Sequence, residues 1–587
     1  MNFKHIAAFV CALALLSTFS ATPSPLSAAQ TAPAATAYVL RVYLNTPQDV
    51  TALTSGHWDV LEARGKDYLL VQGDDTTIAE LRAAGYTVQI EHVLDTSTAQ
   101  SPFSSAYYGG YRSVAEHYQH MNDVATLHPT LAVTVTYGVS WRRSVSAPQG
   151  YPLVAVCLTH QRPGDCALSP STNKPRFFLM AAIHARELTT AELAWRWIDY
   201  LVNNDSVDPN VAALLEYNEL WVVPLANPDG RVIVEQNSDS PYMQRKNANN
   251  TAGSCSNPPT TWDQYGVDLN RNASFKWGVA GASTDPCDQT YKGTSQASEP
   301  EEQALESLMT NLFPDQRGSL DTDAAPITST GIMLTLHSYA NLVLLPWGWT
   351  ECYGSACSAG LRAPNDTALR ALAFHMSYYN GFYTGQASEA LYATGGTTDD
   401  WAYGKLGIPG FTFEVGSNNF NETCSDFDPP YTCQDSLFWP QNVGAFVYAA
   451  QVARQPYALG LGPVTQMLTS TLLAPVSSTV PFTAVVQGNL YGNSGISRPT
   501  AKTIQAAEFT IDTPPWISGS VPVSMSLPPG ALSVTPIVTG TIPGTLSPGQ
   551  HWIFVRGQDT NGNWGPVSAR WVLVPQYTLR LPVVFRN

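Results

Sequence analysis

The chain has 587 residues, 44% of them apolar and 11% aromatic, which excludes disorder over most of its length and asks for more than one folded core. Its formal charge is −16, with 30 basic against 46 acidic residues and no Lys/Arg run, which argues against nucleic acid as a partner.

From the N-terminus, Lys4 and His5 precede an apolar run, Ile6 to Leu16, then small residues up to Ser27-Ala28-Ala29. A positive start, a short apolar stretch and a small-x-small site predict a secretory signal over residues 1–29, hence a secreted, extracellular protein. The run is shorter than the ~20 apolar residues of a bilayer span, and no later segment predicts a membrane helix. Residues 30–36 are Ala/Thr/Pro-rich. Alternation then predicts strands over Tyr38 to Leu44, Trp58 to Ala63, Tyr68 to Gln72 and Tyr86 to Val93, with a helix over Thr76 to Ala84 stopped by Gly85. This is a small α+β unit. The Ser/Thr-rich stretch Asp95 to Ser105 lacks periodicity and offers a protease a place to cut.

The longest unit runs from about Tyr107 to Gln455. Strands are predicted over Leu153–Leu158, Arg176–Ile183, Glu219–Leu225, Gly331–Leu336 and Ile408–Glu414. Helical patterns lie between them: Leu188–Val202, Pro300–Phe313 opened by a Ser298-x-x-Glu301 capping box, Ala368–Tyr379 and Trp439–Ala453. Alternating strands and helices predict an α/β fold, a parallel or mixed sheet covered on both faces. Residues 461–587 hold no cysteine and no helical periodicity, and are rich in Val, Thr, Ser, Pro and Gly. Short runs at Ala507–Ile511, Val521–Ser526, Ser533–Thr539 and His551–Gly557, with a hairpin-like loop at Gln558 to Gly565, predict a β-sandwich. The tail Leu579 to Asn587 reads as a last strand or a sorting element.

Of nine cysteines, Cys11 lies in the signal. The other eight fall into close neighbours, Cys157/Cys166, Cys255/Cys287, Cys352/Cys357 and Cys424/Cys433. An even count in an exported chain predicts disulfides, each closing a local loop. The connectivity stays open, and a cysteine-held zinc is disfavoured because no pair of C-x-x-C knuckles is present.

The chemistry concentrates where an apolar strand, Phe177 to Ile183, releases His184 and Glu187 at its end. Strand ends are where α/β folds place ligand sites. Two histidines and a glutamate, with water in the last position, form a catalytic zinc set. His337, at the end of the strand-like Ile332 to Leu336, is the candidate for the missing ligand. A lone H-x-x-E is weak, since histidines at strand ends are commonly plain surface residues, but two such ends together carry more.

With those residues in place, Tyr107–Gln455 resembles the zinc carboxypeptidases, similar to pancreatic carboxypeptidases A and B and bacterial carboxypeptidase T. The resemblance rests on ordered motifs: His184-Ala-Arg-Glu187, Asn227-Pro228-Asp229-Gly230, Tyr242 to Asn247, Gly266 to Asn272, His337-Ser338-Tyr339, and Tyr392 through Phe411-Thr412-Phe413-Glu414. It implies a mixed sheet of the eight-stranded type sandwiched by helices, with one Zn²⁺ held by His184, Glu187 and His337. Glu414 would move the proton of the attacking water, and Arg245 would stabilise the oxyanion. Asp268 would orient a ligand histidine. Arg271, with Asn270 and Tyr392 beside it and Tyr339 nearby, would grip the free carboxylate of a peptide substrate. Arg186 would assist further along the substrate, or simply form a surface ion pair.

Asp399 stands seven residues after Tyr392, where the family places the base of its side-chain pocket. A carboxylate there implies acceptance of Lys or Arg; a local hydrogen bond to the adjacent glycine loop is the plainer reading. The resemblance also makes residues 30–100 a prosegment over the cleft, removed by an activating protease, residues 101–456 the catalytic unit and residues 465–587 an accessory domain whose partner is unknown. Rival readings are a peptidase of cell-wall γ-glutamyl-diaminopimelate bonds, and a secreted binding or adhesion protein with an inactive peptidase domain.

Overall fold

The computed structural model describes residues 37–94 and 108–576, apart from 47, 55, 66, 170–171, 238–239, 261–262, 353–356, 358, 420–421, 469–471 and 531. The signal, the cutting stretch Asp95 to Ser105 and the tail Leu579 to Asn587 lie outside the described residues.

The first unit is a four-stranded antiparallel sheet, β1 (Ala37–Tyr43), β2 (Asp59–Arg64), β3 (Tyr68–Gly73) and β4 (Thr87–Leu94), in the order β2-β3-β1-β4. Helices Asp49–Thr54 and Asp75–Ala83 accompany it. Asp74 caps the second, its carboxylate accepting from the backbone N–H groups of Thr76 and Thr77. Val39, Leu40, Val42, Leu69 and Val71 are buried, and their core continues without a break into Tyr339, Leu342, Leu344, Leu391, Tyr392 and Phe427 of the next unit.

The central sheet has eight strands: β5 (Ala132–Val139), β6 (Pro152–Leu158), β7 (Arg176–Met180), β8 (Glu219–Val223), β9 (Ile332–His337), β10 (Leu342–Leu345), β11 (Tyr383–Gln386) and β12 (Gly410–Glu414). Their order is β11-β10-β12-β9-β7-β8-β6-β5. The inner strands β8, β7, β9 and β12 run parallel, which explains their mainly apolar sequences: both faces are covered. Antiparallel pairs flank them, so the sheet is mixed, as expected. Helices Leu188–Asn204, Pro300–Leu312, Asp366–Asn380 and Trp439–Val452 fall where their periodicity predicts. The capping box at Ser298 does not form. Glu299 occupies the cap position before Pro300, one residue out of register. Ser298 instead donates to the Glu299 carboxylate, while Glu301 accepts from the Trp141 N–H at 2.6 Å.

Beyond this unit, two sheets of three and five strands close over Phe482, Val486, Phe509, Ile553, Val555 and Val572, a β-sandwich core. The strand expected over Ser533–Thr539 lies at Ile537–Ile542, because Pro536 has no N–H for a ladder. The strand expected over Val521–Ser526 shrinks to Val523–Ser524. All four neighbouring cysteine pairs are bonded, Cys157–Cys166, Cys255–Cys287, Cys352–Cys357 and Cys424–Cys433.

Candidate active site

Three parallel strands deliver the central residues. β9 ends at His337, and β12 beside it ends at Glu414, directly opposite in register. β7 ends at Met180, after which the backbone turns through Ala182, at a positive φ of 53°. Asn227 holds that turn: its N–H donates to the Ala182 carbonyl and its side-chain amide to the Ile183 carbonyl. Its side-chain oxygen accepts from the Gly230 N–H, so Asn227-Pro228-Asp229-Gly230 opens the helix Pro228–Val234. His184 and Glu187 follow on the turned segment, and both are buried.

The donors of His184, Glu187 and His337 all lie within 4.8 Å of one another. His184 Nδ1 is 2.7 Å from Glu187 Oε1 and 3.1 Å from His337 Nδ1. His337 Nδ1 is 3.2 Å from Glu187 Oε2. On its other side, His184 Nε2 meets Asp268 Oδ1 at 3.2 Å. A proton on Nε2 satisfies Asp268 and leaves Nδ1 a bare lone pair aimed at a carboxylate. Lone pair facing lone pair is repulsive, and a divalent cation between the donors removes the conflict. The residues therefore fit one Zn²⁺ with a carboxylate-oriented histidine. Asp268 also receives Arg245 Nε at 3.0 Å. Burial works to raise the Asp268 carboxyl, but the Arg245 charge, together with the His184 hydrogen bond, outweighs it and holds the group well below its usual range.

Arg245 is fixed from two sides. Gln264 Oε1 accepts its backbone N–H at 2.7 Å, and its carbonyl accepts from the Ala185 N–H at 3.0 Å. Arg271 donates through Nε to the Gly281 carbonyl (2.6 Å), through Nη1 to the Asn270 carbonyl (2.8 Å) and through Nη2 to the Tyr392 hydroxyl (3.5 Å). Asn270 Oδ1 accepts from the Thr398 N–H at 3.1 Å. His184, Arg245, Asn270, Arg271, His337, Tyr392, Asp399 and Glu414 line one cavity, whose further walls include Leu344, Ala387, Leu391, Thr397 and Thr412.

Asp399 accepts from the Asp400 N–H at 2.9 Å and from the Thr412 hydroxyl at 3.1 Å, so its local bonds go to these groups and not to the glycine loop. Asp400 turns away and accepts the backbone N–H groups of Gly348 and Trp349. Burial, then the neighbouring Asp399 charge, push its carboxyl well above the usual range. Two of the expected substrate-binding residues stand outside the cavity lining. Tyr339 packs edge-on against Phe427, with ring centroids 4.8 Å apart. Arg186 faces Asp59 of the first unit at 3.5 Å and stacks over Phe427 at 4.2 Å. Sequence reasoning passed over Gln264 and Arg64, which lie outside the predicted elements, and Asp59, which lies in a predicted strand but meets a distant partner. Arg64 Nη1 reaches the Leu391 carbonyl at 2.7 Å, a contact 327 residues away that no local signal announces.

The profile of the family described as zinc carboxypeptidase matches residues 117–433. A metallocarboxypeptidase A-like protein of Trichophyton verrucosum is 29% identical over 305 residues, 51% of this chain and 60% of its own, so less than two thirds of that protein is spanned. Carboxypeptidase O of Homo sapiens is 25% identical over 61% of this chain and 85% of its own. Among solved structures, carboxypeptidase A from Helicoverpa armigera superposes with a TM-score of 0.54 at 19% identity, covering 71% of this chain and 98% of that one. With the profile matching more than half of its length, the chain belongs to the zinc carboxypeptidase family.

Proposed function

We propose that this protein is a secreted zinc metallocarboxypeptidase that removes the C-terminal residue of peptides and is made as a proenzyme. The observation that carries the reading is the meeting of the His184, Glu187 and His337 donors at the wall of a cavity that Glu414, Arg245 and Arg271 also line. Zinc held there supplies Lewis acidity and an acidified water.

Each side chain then has one task. Glu414 takes a proton from the attacking water and passes it to the departing amine. Arg245, held in place by Asp268 and Gln264, donates to the oxyanion that develops on the scissile carbonyl. Arg271 binds the terminal carboxylate, its guanidinium pre-aimed by the carbonyls of Gly281 and Asn270. Tyr392 covers the terminal residue. Asp399, among Thr397 and Thr412, offers a negative charge to a Lys or Arg side chain.

The first unit is the prosegment. Its apolar face covers Tyr339, Leu391 and Tyr392, and Asp59 occupies Arg186, which then binds substrate only after the unit leaves. Four disulfides support an oxidising, extracellular location. The test is a panel of matched free-acid peptides ending in Lys, Phe or Glu, with the protein cut within residues 95–105. Release of the last residue, abolished by a chelator and fastest for Lys, supports the reading. Inactivity on every peptide overturns it.

A further inference from the structure

The chain beyond the catalytic unit reaches back to the wall of the cavity. Thr384, in edge strand β11, donates its N–H to the Ser494 carbonyl at 3.2 Å, and its own carbonyl accepts from the Ile496 N–H at 2.9 Å. Residues 494–496 of the C-terminal unit thus pair in parallel with the open edge of the central sheet. Gly495 permits this approach: it has a φ of +141°, and a Cβ there would stand 2.4 Å from the Thr384 carbonyl oxygen.

Behind this pair lies a buried ionic hub. Arg370 Nη1 donates to the Ile496 carbonyl at 2.9 Å. Its Nη2 donates to the Glu389 carboxylate at 3.0 and 3.1 Å and to Gln386 Oε1 at 3.3 Å. Its Nε is held by Asp366. Arg362 repeats the bridge, joining the Ser497 hydroxyl to Glu389, each at 3.2 Å. Glu389 in turn accepts the Gln386 N–H at 2.9 Å, which closes the short helix Ala387–Ala390. That helix and the residues after it put Ala387, Leu391 and Tyr392 into the catalytic cavity.

We infer that the C-terminal unit is a brace for the substrate pocket: residues 494–497, acting through Arg370 and Arg362, fix Gln386–Tyr392 in the position that receives the substrate's terminal residue. Arg370 is a positioning residue, since it touches no part of the cavity and acts through Glu389 and Gln386. The inference rests on the carboxypeptidase reading of that cavity.

The experiment uses the full chain and two substitutions confined to the C-terminal unit, Gly495→Ala and Ile496→Pro, which push the loop away or delete one backbone donor. Amide exchange by mass spectrometry is followed over residues 386–392, with β7 as the internal control of folding, and kinetics are taken on free-acid peptides after the chain is cut within residues 95–105. The expected result is exchange about tenfold faster over 386–392 with β7 unchanged, and KM raised about tenfold with kcat within about twofold. Arg370→Gln gives the same pattern, and its combination with Gly495→Ala adds nothing further. Unchanged exchange over 386–392 in either variant that keeps β7 protected, or effects of Gly495→Ala and Arg370→Gln that simply add, overturns the brace. If the cut parent chain cleaves no peptide, the carboxypeptidase reading fails, and the exchange data still decide whether the loop holds this segment.

Discussion

Two units flank one segment of the catalytic cavity and hold it in different ways. The N-terminal unit lays an apolar face over Leu391 and Tyr392 and adds polar contacts, among them Arg64 to the Leu391 carbonyl, Asp59 to Arg186 and Thr51 to Glu351. Among the described residues it pairs no strand with the central sheet. The C-terminal unit joins that sheet by backbone hydrogen bonds and ties into buried Arg370 and Glu389. It also rests its other sheet on Tyr217, which meets Trp516 and Phe554 edge-on. The difference separates a cover from a brace. A face of side chains joined through a stretch open to cutting can leave intact what it covered, whereas a loop hydrogen-bonded to a sheet edge leaves only by breaking those backbone bonds.

Variants sharpen that contrast in order of size. Glu414→Gln belongs to neither flank and costs most: about a thousandfold in kcat, equally in cut and uncut protein, with zinc content unchanged by metal analysis. Cutting within residues 95–105 tests the cover. Activity on a small peptide rises about a hundredfold, equivalent to ~3 kcal/mol of cover affinity, and Asp59→Asn with Arg64→Ala raises the activity of uncut protein part of the way. No rise on cutting would make the first unit a brace as well. Arg271→Gln lowers kcat/KM on free-acid peptides about thirtyfold, the size of a lost charged hydrogen-bond pair, and leaves the matched amides nearly unaffected. Asp399→Asn lowers cleavage after Lys about tenfold against Phe, as read from competing substrates.

The smallest effect on activity concerns the brace and pH. His375 donates Nδ1–H to the Leu490 carbonyl at 2.7 Å and packs between Tyr448 and Tyr491. Burial pushes its imidazole from 6.5 down to about 4. As pH falls, the unfolded chain takes up this proton first. The contribution is therefore complete above pH 6.5 and lost on the way down to about 4, a difference of about 3 kcal/mol. Thermal unfolding followed across this window shows a slope that His375→Phe flattens.

The parts of the site that sit at strand ends were legible in the sequence. His184, His337 and Glu414 each follow a mainly apolar run, interrupted by a buried threonine in the last two (Thr335, Thr412), because a parallel strand buried on both faces is largely apolar until it emerges. Arg245, Asp268 and Arg271 lie in loops without period, so only their motif resemblance pointed to them. Strands β10 and β11 went unread: each has four residues, and Tyr383–Gln386 is half polar, since its edge position is completed by a distant loop. The Arg370–Glu389 hub was equally invisible, as its partners meet only through tertiary packing. Asn227 stands between these cases, a turn residue whose capping role is local but whose hold on Ile183 is not.

The most direct test of the account is the metal content of the purified chain beside His184→Ala, Glu187→Ala and His337→Ala, each checked for folding by circular dichroism. The prediction is one zinc per chain in the parent and none retained after dialysis in each folded variant, with peptidase activity lost in step. Zinc bound equally by all four proteins, or full activity in the parent after the metal is stripped, would contradict it.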